Sequence, residues 1–182
     1  MRVTSSGCGL ARLRIPSPTP LPASVPVVRS HSMKLNKLIE DLNELEPDDK
    51  LEWLVEFADQ LPELSAERLG QPFPESCLVR ECQTPVHLWV EAIDGRVHIE
   101  ADVPRKSPTV RGLVALLVVG LNGEPVSAAL ALPDDLVSHW KLNDVLGMTR
   151  QQGFRGVVAR LKRSLRDSSG NQRTNTSRSQ EN

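Results

Sequence analysis

A dipeptide that favours tight β-hairpins, Asp94-Gly95, separates two strand-like segments and constrains the fold of the whole chain. Residues 86–93 are rich in β-forming side chains, and residues 97–103 alternate between apolar and polar side chains. Because Asp-Gly supplies the positive φ angles of a two-residue hairpin turn, we expect the two segments to pair antiparallel. A short third strand is predicted at the edge, at residues 78–80.

Helical patterns lie on both sides of this hairpin. Leucine and isoleucine recur at spacings of three and four over residues 35–45, and a second helix is expected over residues 48–61. After the hairpin, an apolar run at residues 110–121 is typical of a buried helix, a short helix follows at residues 134–146, and Thr149 can begin the last helix. The side chains expected to face the core from the second and last helices are Leu51, Leu54, Val55, Ala58, Leu61, Phe154, Val157, Val158, Leu161 and Leu165. Helices before and after a small antiparallel sheet of about three strands predict an α+β fold.

The two ends of the chain differ in composition from its middle. Residues 1–32 contain arginines and five prolines but no aspartate or glutamate, so we expect a disordered leader. This leader resembles an organellar transit peptide, which would place the protein in the plastid stroma or mitochondrial matrix; alternatively, translation starts at Met33 and the protein is cytoplasmic. Residues 167–182 lack aliphatic and aromatic side chains and are predicted to be a disordered tail. The folded domain is therefore expected at residues 33–166.

Composition and motifs exclude several function classes. The net charge of -1 gives no support for a nucleic-acid-binding surface, and the sequence contains neither a G-x-G-x-x-G motif nor a P-loop. The longest apolar run, residues 113–121, is far shorter than the ~20 residues that cross a bilayer. Three cysteines are too few for a disulfide framework and indicate a reducing compartment. The spacing of cysteine and histidine predicts no metal site.

Cys82 is the candidate reactive residue. It lies between the possible edge strand and the hairpin, in a polar segment that contains Arg80, Glu81 and Pro85. A cysteine reacts as its thiolate, which a neighbouring cation favours and a neighbouring carboxylate disfavours. Cys77 could form a redox pair with Cys82, although a C-x4-C spacing lacks the geometry of C-x-x-C. An ordinary buried thiol is the alternative for both cysteines.

Two other residues are candidates for a role in the chemistry. His87 is the histidine nearest to Cys82 in the sequence and could activate its thiol, although no third, orienting group is evident. The alternative is that His87 belongs to one face of the hairpin. Arg150 lies at the start of the predicted last helix, where a cation opposes the helix dipole, so either another role or simple solvation explains it.

Four segments form a pattern that extends over about residues 33–166. They are Phe57-Ala58-Asp59-Gln60-Leu61-Pro62, Cys82-Gln83-Thr84-Pro85-Val86, Val110-Arg111-Gly112-Leu113 and Leu146-Gly147-Met148-Thr149-Arg150-Gln151-Gln152-Gly153-Phe154. In this order, they resemble the Leu-Pro helix end, the Cys-Gln-Ser-x-Val segment, the Val-Lys/Arg-Gly-Leu helix start and the Leu-x-x-x-Arg-x-x-Gly-Leu segment of the SufE family. The chain is therefore similar to the SufE sulfur acceptors of cysteine desulfurases.

The resemblance implies both a fold and a function. The fold would be α+β, with a small antiparallel sheet covered by helices, as in SufE/IscU-like proteins. SufE-like proteins accept sulfane sulfur from the active-site cysteine of a partner desulfurase, hold it as a persulfide and pass it to an iron–sulfur cluster scaffold. By position, Cys82 would be the acceptor and Arg150 the matching family arginine. The protein would stimulate its partner rather than act as a stand-alone enzyme, with no cofactor of its own, because pyridoxal phosphate belongs to the desulfurase.

The sequence departs from the family pattern beside the cysteine. Glu81 stands where the family usually has glycine, Thr84 and Pro85 replace serine and glutamine, and His87 occupies an aromatic position. A carboxylate beside the thiol should disfavour the thiolate. One alternative function is a non-catalytic adaptor that regulates a partner through the acidic first helices and the basic last helix. A cluster scaffold fits less well, because it needs about three cysteine ligands.

Overall fold

The computed structural model describes residues 33–70 and 72–178, which form an α+β domain as predicted. The helices are α1 (Met33–Asn43), α2 (Pro47–Phe57), α3 (Pro108–Leu121), α4 (Val126–Leu130), α5 (Leu136–His139) and α6 (Met148–Arg178), and the strands are β1 (His87–Ile93) and β2 (Arg96–Asp102). Single 3₁₀ turns lie at Ala58–Gln60, Ala66–Arg68 and Glu75–Cys77. Among the helices of these residues, none is both long enough and apolar enough to cross a membrane.

The two strands form the predicted hairpin. β1 pairs antiparallel with β2, and Ile93 lies opposite Arg96 next to the turn. Asp94 and Gly95 make that turn with φ angles of 51° and 73°. Positive φ at both turn residues matches the twist of the strands, which is why an Asp-Gly pair fixes this register.

The predicted third strand is reduced to a single bridge. Leu78 pairs with His87, and Val79 donates its N–H to the carbonyl oxygen of Val86 (2.9 Å). Pro85 has no N–H with which to extend the ladder, and the chain before it turns away as a loop. In the described part of the chain, the sheet has two strands rather than about three.

Helix α3 is the centre of the core, and β2, α1, α2 and α6 pack around it. Glycines on α3 allow two of these helices to approach closely. A Cβ at Gly112 would collide with the backbone carbonyl of Leu54 in α2, and a Cβ at Gly120 would lie 2.9 Å from the Cβ of Leu35 in α1. Larger residues at either position would therefore push a helix away from the core.

A buried arginine connects the start of α3 to its neighbours. Arg111 is only 8% exposed. Its guanidinium donates hydrogen bonds to the carbonyl oxygens of Ala58 (3.1 Å) and Val103 (2.8 Å). These bonds satisfy backbone groups at the end of α2 and just after β2, so Arg111 fixes where α3 begins relative to both elements.

Helix α2 buries a narrower stripe than its sequence pattern predicts. Leu54, Ala58 and Leu61 are buried, but Leu51 and Val55 are 37% and 40% exposed. Because the close approach of α3 occurs beside Leu54, only the side chains on that edge of α2 are removed from solvent. The prediction was therefore wrong for Leu51 and Val55.

The region between α3 and α6 contains two short helices instead of the one helix predicted at residues 134–146. Helix α4 was not predicted, and α5 ends at His139. Lys141 follows with a φ of 54°, a conformation that interrupts a right-handed helix.

Helix α6 buries the stripe that the sequence predicts, including Phe154, Val157 and Leu161. It starts at Met148 and continues to Arg178, and thus extends into residues 167–182, for which composition predicts a disordered tail. Residues 1–32 lie outside the described residues. The division of the chain into leader, domain and tail stays a prediction.

Candidate functional site

Cys82 lies in a short loop that closes between Val79 and Val86. Val79 donates to Val86 as described above, and the N–H of Cys82 donates to the carbonyl oxygen of Val79 (3.3 Å). At the foot of the loop, Arg160 of α6 donates a hydrogen bond to the carbonyl oxygen of Ser76. The first two bonds close the loop, the third connects its foot to α6, and the Cys82 side chain is half-buried.

Two glycines of α6 allow the loop to approach the helix. A Cβ at Gly153 would lie 2.9 Å from the Sγ of Cys82, and a Cβ at Gly156 would lie 2.5 Å from the Cβ of Glu81. Residues three apart share one face of a helix, so Gly153 and Gly156 together make a flat surface for the loop. The position of the Cys82 sulfur therefore depends on the absence of a side chain at residue 153.

A pocket of about 530 Å³ opens beside Cys82. Its walls are the cysteine loop at residues 82–84, the start of α3 at residues 106–110 and the start of α6 at residues 147–150. The first turns of two helices that are distant in sequence thus meet at one thiol. The pocket brings Cys82 and Arg150, the two predicted site residues, into the same lining, while their roles remain predictions.

Burial governs the ionisation of the thiol. Desolvation raises the pKa of Cys82, while hydrogen bonds from the N–H and the hydroxyl of Thr84 act to lower this pKa. Sequence analysis expected Glu81 to disfavour the thiolate, but the cause in the structure is burial. Arg80, expected to favour the thiolate, instead pairs with Glu75 (3.2 Å) at the surface.

Neither Cys77 nor His87 contributes to the lining of this pocket. Cys77 and Cys82 are both free thiols. The ring of His87 packs edge-on against Phe73, with 4.9 Å between centroids, and its Nδ1 lies 3.9 Å from the Oδ2 of Asp102 on β2. His87 therefore belongs to one face of the hairpin, the alternative that the sequence left open, and is not placed to activate the thiol.

Lys106, Ser107 and Thr109 are among the lining residues that sequence analysis did not identify as site residues. The Ser-Pro pair at residues 107 and 108 predicts the start of α3, and the structure places the helix there. That this helix start faces Cys82 depends on long-range packing, for which a single sequence carries no signal. Among the described residues, no group of three or more histidine, cysteine, aspartate or glutamate side chains could hold a metal ion.

The fold and the pocket define a class: a small α+β protein with a half-buried cysteine between two helix starts. Residues 36–165 match the family model SufE, described as an Fe-S metabolism associated domain. Two Mycobacterium tuberculosis proteins, described as uncharacterized SufE-like proteins, are each 35% identical to this chain over 150 residues, which cover 80% of this chain and 96% of each relative. The chain belongs to the SufE family, as its motifs predicted.

A solved structure agrees with this assignment. The solution structure of a hypothetical protein from Thermus thermophilus matches with a TM-score of 0.66 and 27% sequence identity. The match covers 77% of this chain and 98% of that protein. The α+β fold is thus shared over nearly the whole length of the neighbour.

Proposed function

We propose that this protein is a sulfur acceptor that takes persulfide sulfur from a cysteine desulfurase onto Cys82 and passes it on for iron–sulfur cluster assembly. The observation that carries the proposal is the Cys82 loop, where an intact family cysteine lies half-buried at the mouth of a pocket. Membership of a family associated with Fe-S metabolism supports the same role. The proposed compartment is the cytoplasm, where reducing conditions keep such a thiol available.

The proposed step is a transfer between two cysteines. The thiolate of Cys82 attacks the terminal sulfur of a persulfide on the desulfurase. The sulfur–sulfur bond on the desulfurase breaks, its cysteine leaves as a thiolate, and a new sulfur–sulfur bond forms on Cys82. The step needs no oxidant, reductant or cofactor on this chain, because pyridoxal phosphate acts earlier, on the partner. The acceptor therefore stimulates the partner's turnover rather than acting as a stand-alone enzyme.

Because the pKa of Cys82 is raised, the proposed transfer requires the partner to increase the thiolate fraction of Cys82. A buried thiol with a raised pKa is mostly protonated at neutral pH and reacts slowly. Docking of the desulfurase would increase the thiolate fraction if it moved the loop away from Gly153 and exposed the sulfur. Alkylation of Cys82, measured against pH by peptide mass mapping, should shift to lower pH when the desulfurase is added, and identical curves would reject this part of the proposal.

The acceptor role is separated from the adaptor role by one pair of variants. Cys82→Ser should abolish stimulation of the desulfurase, whereas Cys77→Ser, a matched change at a free cysteine outside the pocket lining, should leave it intact. An adaptor that acts only by binding would keep its stimulation in Cys82→Ser, and that result would replace the sulfur-acceptor proposal with the adaptor.

A further inference from the structure

We propose that the hydroxyl groups of Thr84 and Ser107 form a hydroxyl relay, which takes up the proton of the Cys82 thiol and then stabilises the thiolate. This role rests on the proposed function, because a sulfur acceptor needs its thiolate twice. Cys82 is a thiolate when it attacks the partner's persulfide, and it leaves as a thiolate when the sulfur is passed on.

The hydroxyl of Thr84 lies between two acceptors. Its Oγ1 donates a hydrogen bond to the Oγ of Ser107 over 3.5 Å, and it is also a hydrogen-bond partner of the Cys82 sulfur. A hydroxyl carries a single proton, so it donates fully to one acceptor at a time. A distance of 3.5 Å is long for a bond between two hydroxyls, so the proton is not fixed on Ser107 and can turn to the sulfur.

Ser107 does not cap its helix, although its position predicts that it should. A serine before a proline at a helix start normally accepts a hydrogen bond from a backbone N–H of the first turn. Ser107 occupies the N-cap position of α3, but its side chain makes no capping bond, and its ψ of 62° lies outside the extended conformation usual there. Its Oγ contacts Thr84 instead. Such a departure from a strong local rule beside a reactive sulfur indicates that the side chain serves the site.

The relay connects the sulfur to the solvent in the pocket. Cys82, Thr84 and Ser107 all line the pocket, and all three are half-buried. Thr84 belongs to the cysteine loop and Ser107 to the start of α3, so the two hydroxyls bridge two walls. Partial burial limits competition from water, which strengthens a hydrogen bond to a charged sulfur.

Fixed charges do not replace the relay. The charged side chains around the sulfur, on its own loop, at the start of α3 and at the start of α6, are exposed to solvent: Glu75, Arg80, Glu81, Lys106 and Arg150. Arg160, farther along α6, donates to the carbonyl oxygen of Ser76. Exposed charges are screened, and none of them is a cause of the raised pKa of Cys82, whereas Thr84 acts to lower that pKa.

The proton moves in three transfers that balance. The thiol of Cys82 gives its proton to the Oγ1 of Thr84, Thr84 gives its own proton to the Oγ of Ser107, and Ser107 gives its proton to water in the pocket. Afterwards Thr84 donates to the thiolate, and Ser107 donates to Thr84. The bond between the two hydroxyls is kept but reversed, while the bond to the sulfur becomes charge-assisted and therefore stronger.

The first experiment measures the relay in the free protein. The full-length protein is alkylated with iodoacetamide over a range of pH, and Cys82 is followed by mass mapping with Cys77 as the internal reference. Thr84→Val should move the Cys82 profile to higher pH by about one pH unit, because a hydrogen bond to a charged group changes such an equilibrium about tenfold. Ser107→Ala should cause a smaller shift in the same direction. The double variant should match Thr84→Val, since Ser107 acts through Thr84.

Control variants separate the relay from a structural role. Thr84→Ser and Ser107→Thr keep the hydroxyls and should keep the wild-type profile, and Thr84→Ala replaces Thr84→Val if valine disturbs the loop. Ser127→Ala changes an exposed serine of α4 outside the pocket lining and should have no effect.

Two results would overturn the relay. If Ser107 were only a helix cap, Ser107→Ala would lower the urea midpoint and leave the Cys82 profile unchanged. If the two hydroxyls acted independently, the shifts of the single variants would add in the double variant.

The second experiment separates the relay from the proposed function. Protein loaded by a desulfurase and cysteine is purified and discharged with 2-mercaptoethanol, a neutral thiol. Discharge should be several-fold slower in Thr84→Val, because Cys82 is then a poorer leaving group. If wild-type Cys82 never receives sulfur, the proposed function is wrong, and alkylation still decides on the relay. If both proteins load and discharge at equal rates, only the relay is wrong.

Discussion

Replacing Gly153 by alanine should release the Cys82 sulfur from its half-buried position. The added Cβ would lie 2.9 Å from Sγ, too close for a stable contact, but 3.4 Å from the Cα and Cβ of Cys82, which is an ordinary distance. The sulfur is the tip of a side chain with one rotatable bond, so rotation of that bond resolves the clash. We therefore expect the thiol to move and the loop backbone to stay.

The free energy of unfolding should change little. Alanine in a helix interior is favoured over glycine by about 1 kcal/mol, while an off-rotamer side chain costs about 0.5–1.5 kcal/mol. These contributions nearly cancel. The thiol, in contrast, loses the burial that raises its pKa, so the pKa of Cys82 should fall and its alkylation at neutral pH should become several-fold faster.

The assay is alkylation of Cys82 as a function of pH, followed by mass mapping, with urea unfolding as a measure of stability. Gly70→Ala is the control, because no heavy atom lies within 4 Å of a Cβ at that position and Gly70 lies outside the pocket lining. An unchanged alkylation profile in a folded Gly153→Ala protein would refute the argument that this glycine holds the sulfur in place.

The same pKa shift affects stability. The folded state holds the Cys82 proton more tightly than the unfolded chain does, so the stability of the wild type should decrease as the pH rises through the ordinary thiol pKa of about 8.5. Below that pH the contribution is fully present. Gly153→Ala should show a smaller alkaline loss in thermal unfolding, and an equal loss in both proteins would contradict burial as the cause.

Three other predictions concern single side chains. Arg111→Met removes both hydrogen bonds of the guanidinium; the carbonyl oxygen of Val103 loses this donor, whereas that of Ala58 keeps the N–H of Leu61, so the urea-derived stability should fall by about 1–3 kcal/mol. Thr84→Val should raise the pKa of Cys82 further and slow its alkylation, while Thr84→Ser should keep the wild-type pH profile. Equal profiles for the valine and serine variants would show that the hydroxyl does not lower this pKa. Hydrogen bonds from Arg155 and Ser138 lower the pKa of Asp135 to about 2, so the stabilisation from this carboxylate is present above pH ~4 and is lost as the pH falls toward 2. The thermal stability of Asp135→Asn should depend less on pH in the acid range than that of the wild type. An equal dependence in both proteins would contradict a stabilising role of the ion pair.

Local sequence signals predicted most of the fold. The turn at Asp94 and Gly95 requires positive φ, so the hairpin and its register follow from two residues. Helices with a strong periodic stripe were also predicted, because burial repeats along one face. The exposed Leu51 shows the limit of this reasoning: periodicity defines a face but not how much of it a neighbouring helix covers.

The candidate site was predicted only in part. The resemblance identified Cys82 and Arg150, whereas the cation at a helix start left open whether Arg150 has another role or is simply solvated. The structure places this arginine at the pocket. Lys106 and Thr109 were not found, because their position beside the cysteine follows from the packing of α3 against elements far away in the sequence.

The central claim is that Cys82 carries one transferred sulfur atom as a persulfide, and mass spectrometry of this residue tests the claim most directly. The protein is incubated with cysteine and a cysteine desulfurase, without reductant, and its peptides are mapped. A mass gain of about 32 Da, one sulfur atom, on the Cys82 peptide and its absence from the Cys77 peptide is the predicted result. An unmodified Cys82 under conditions in which the desulfurase turns over would contradict the account.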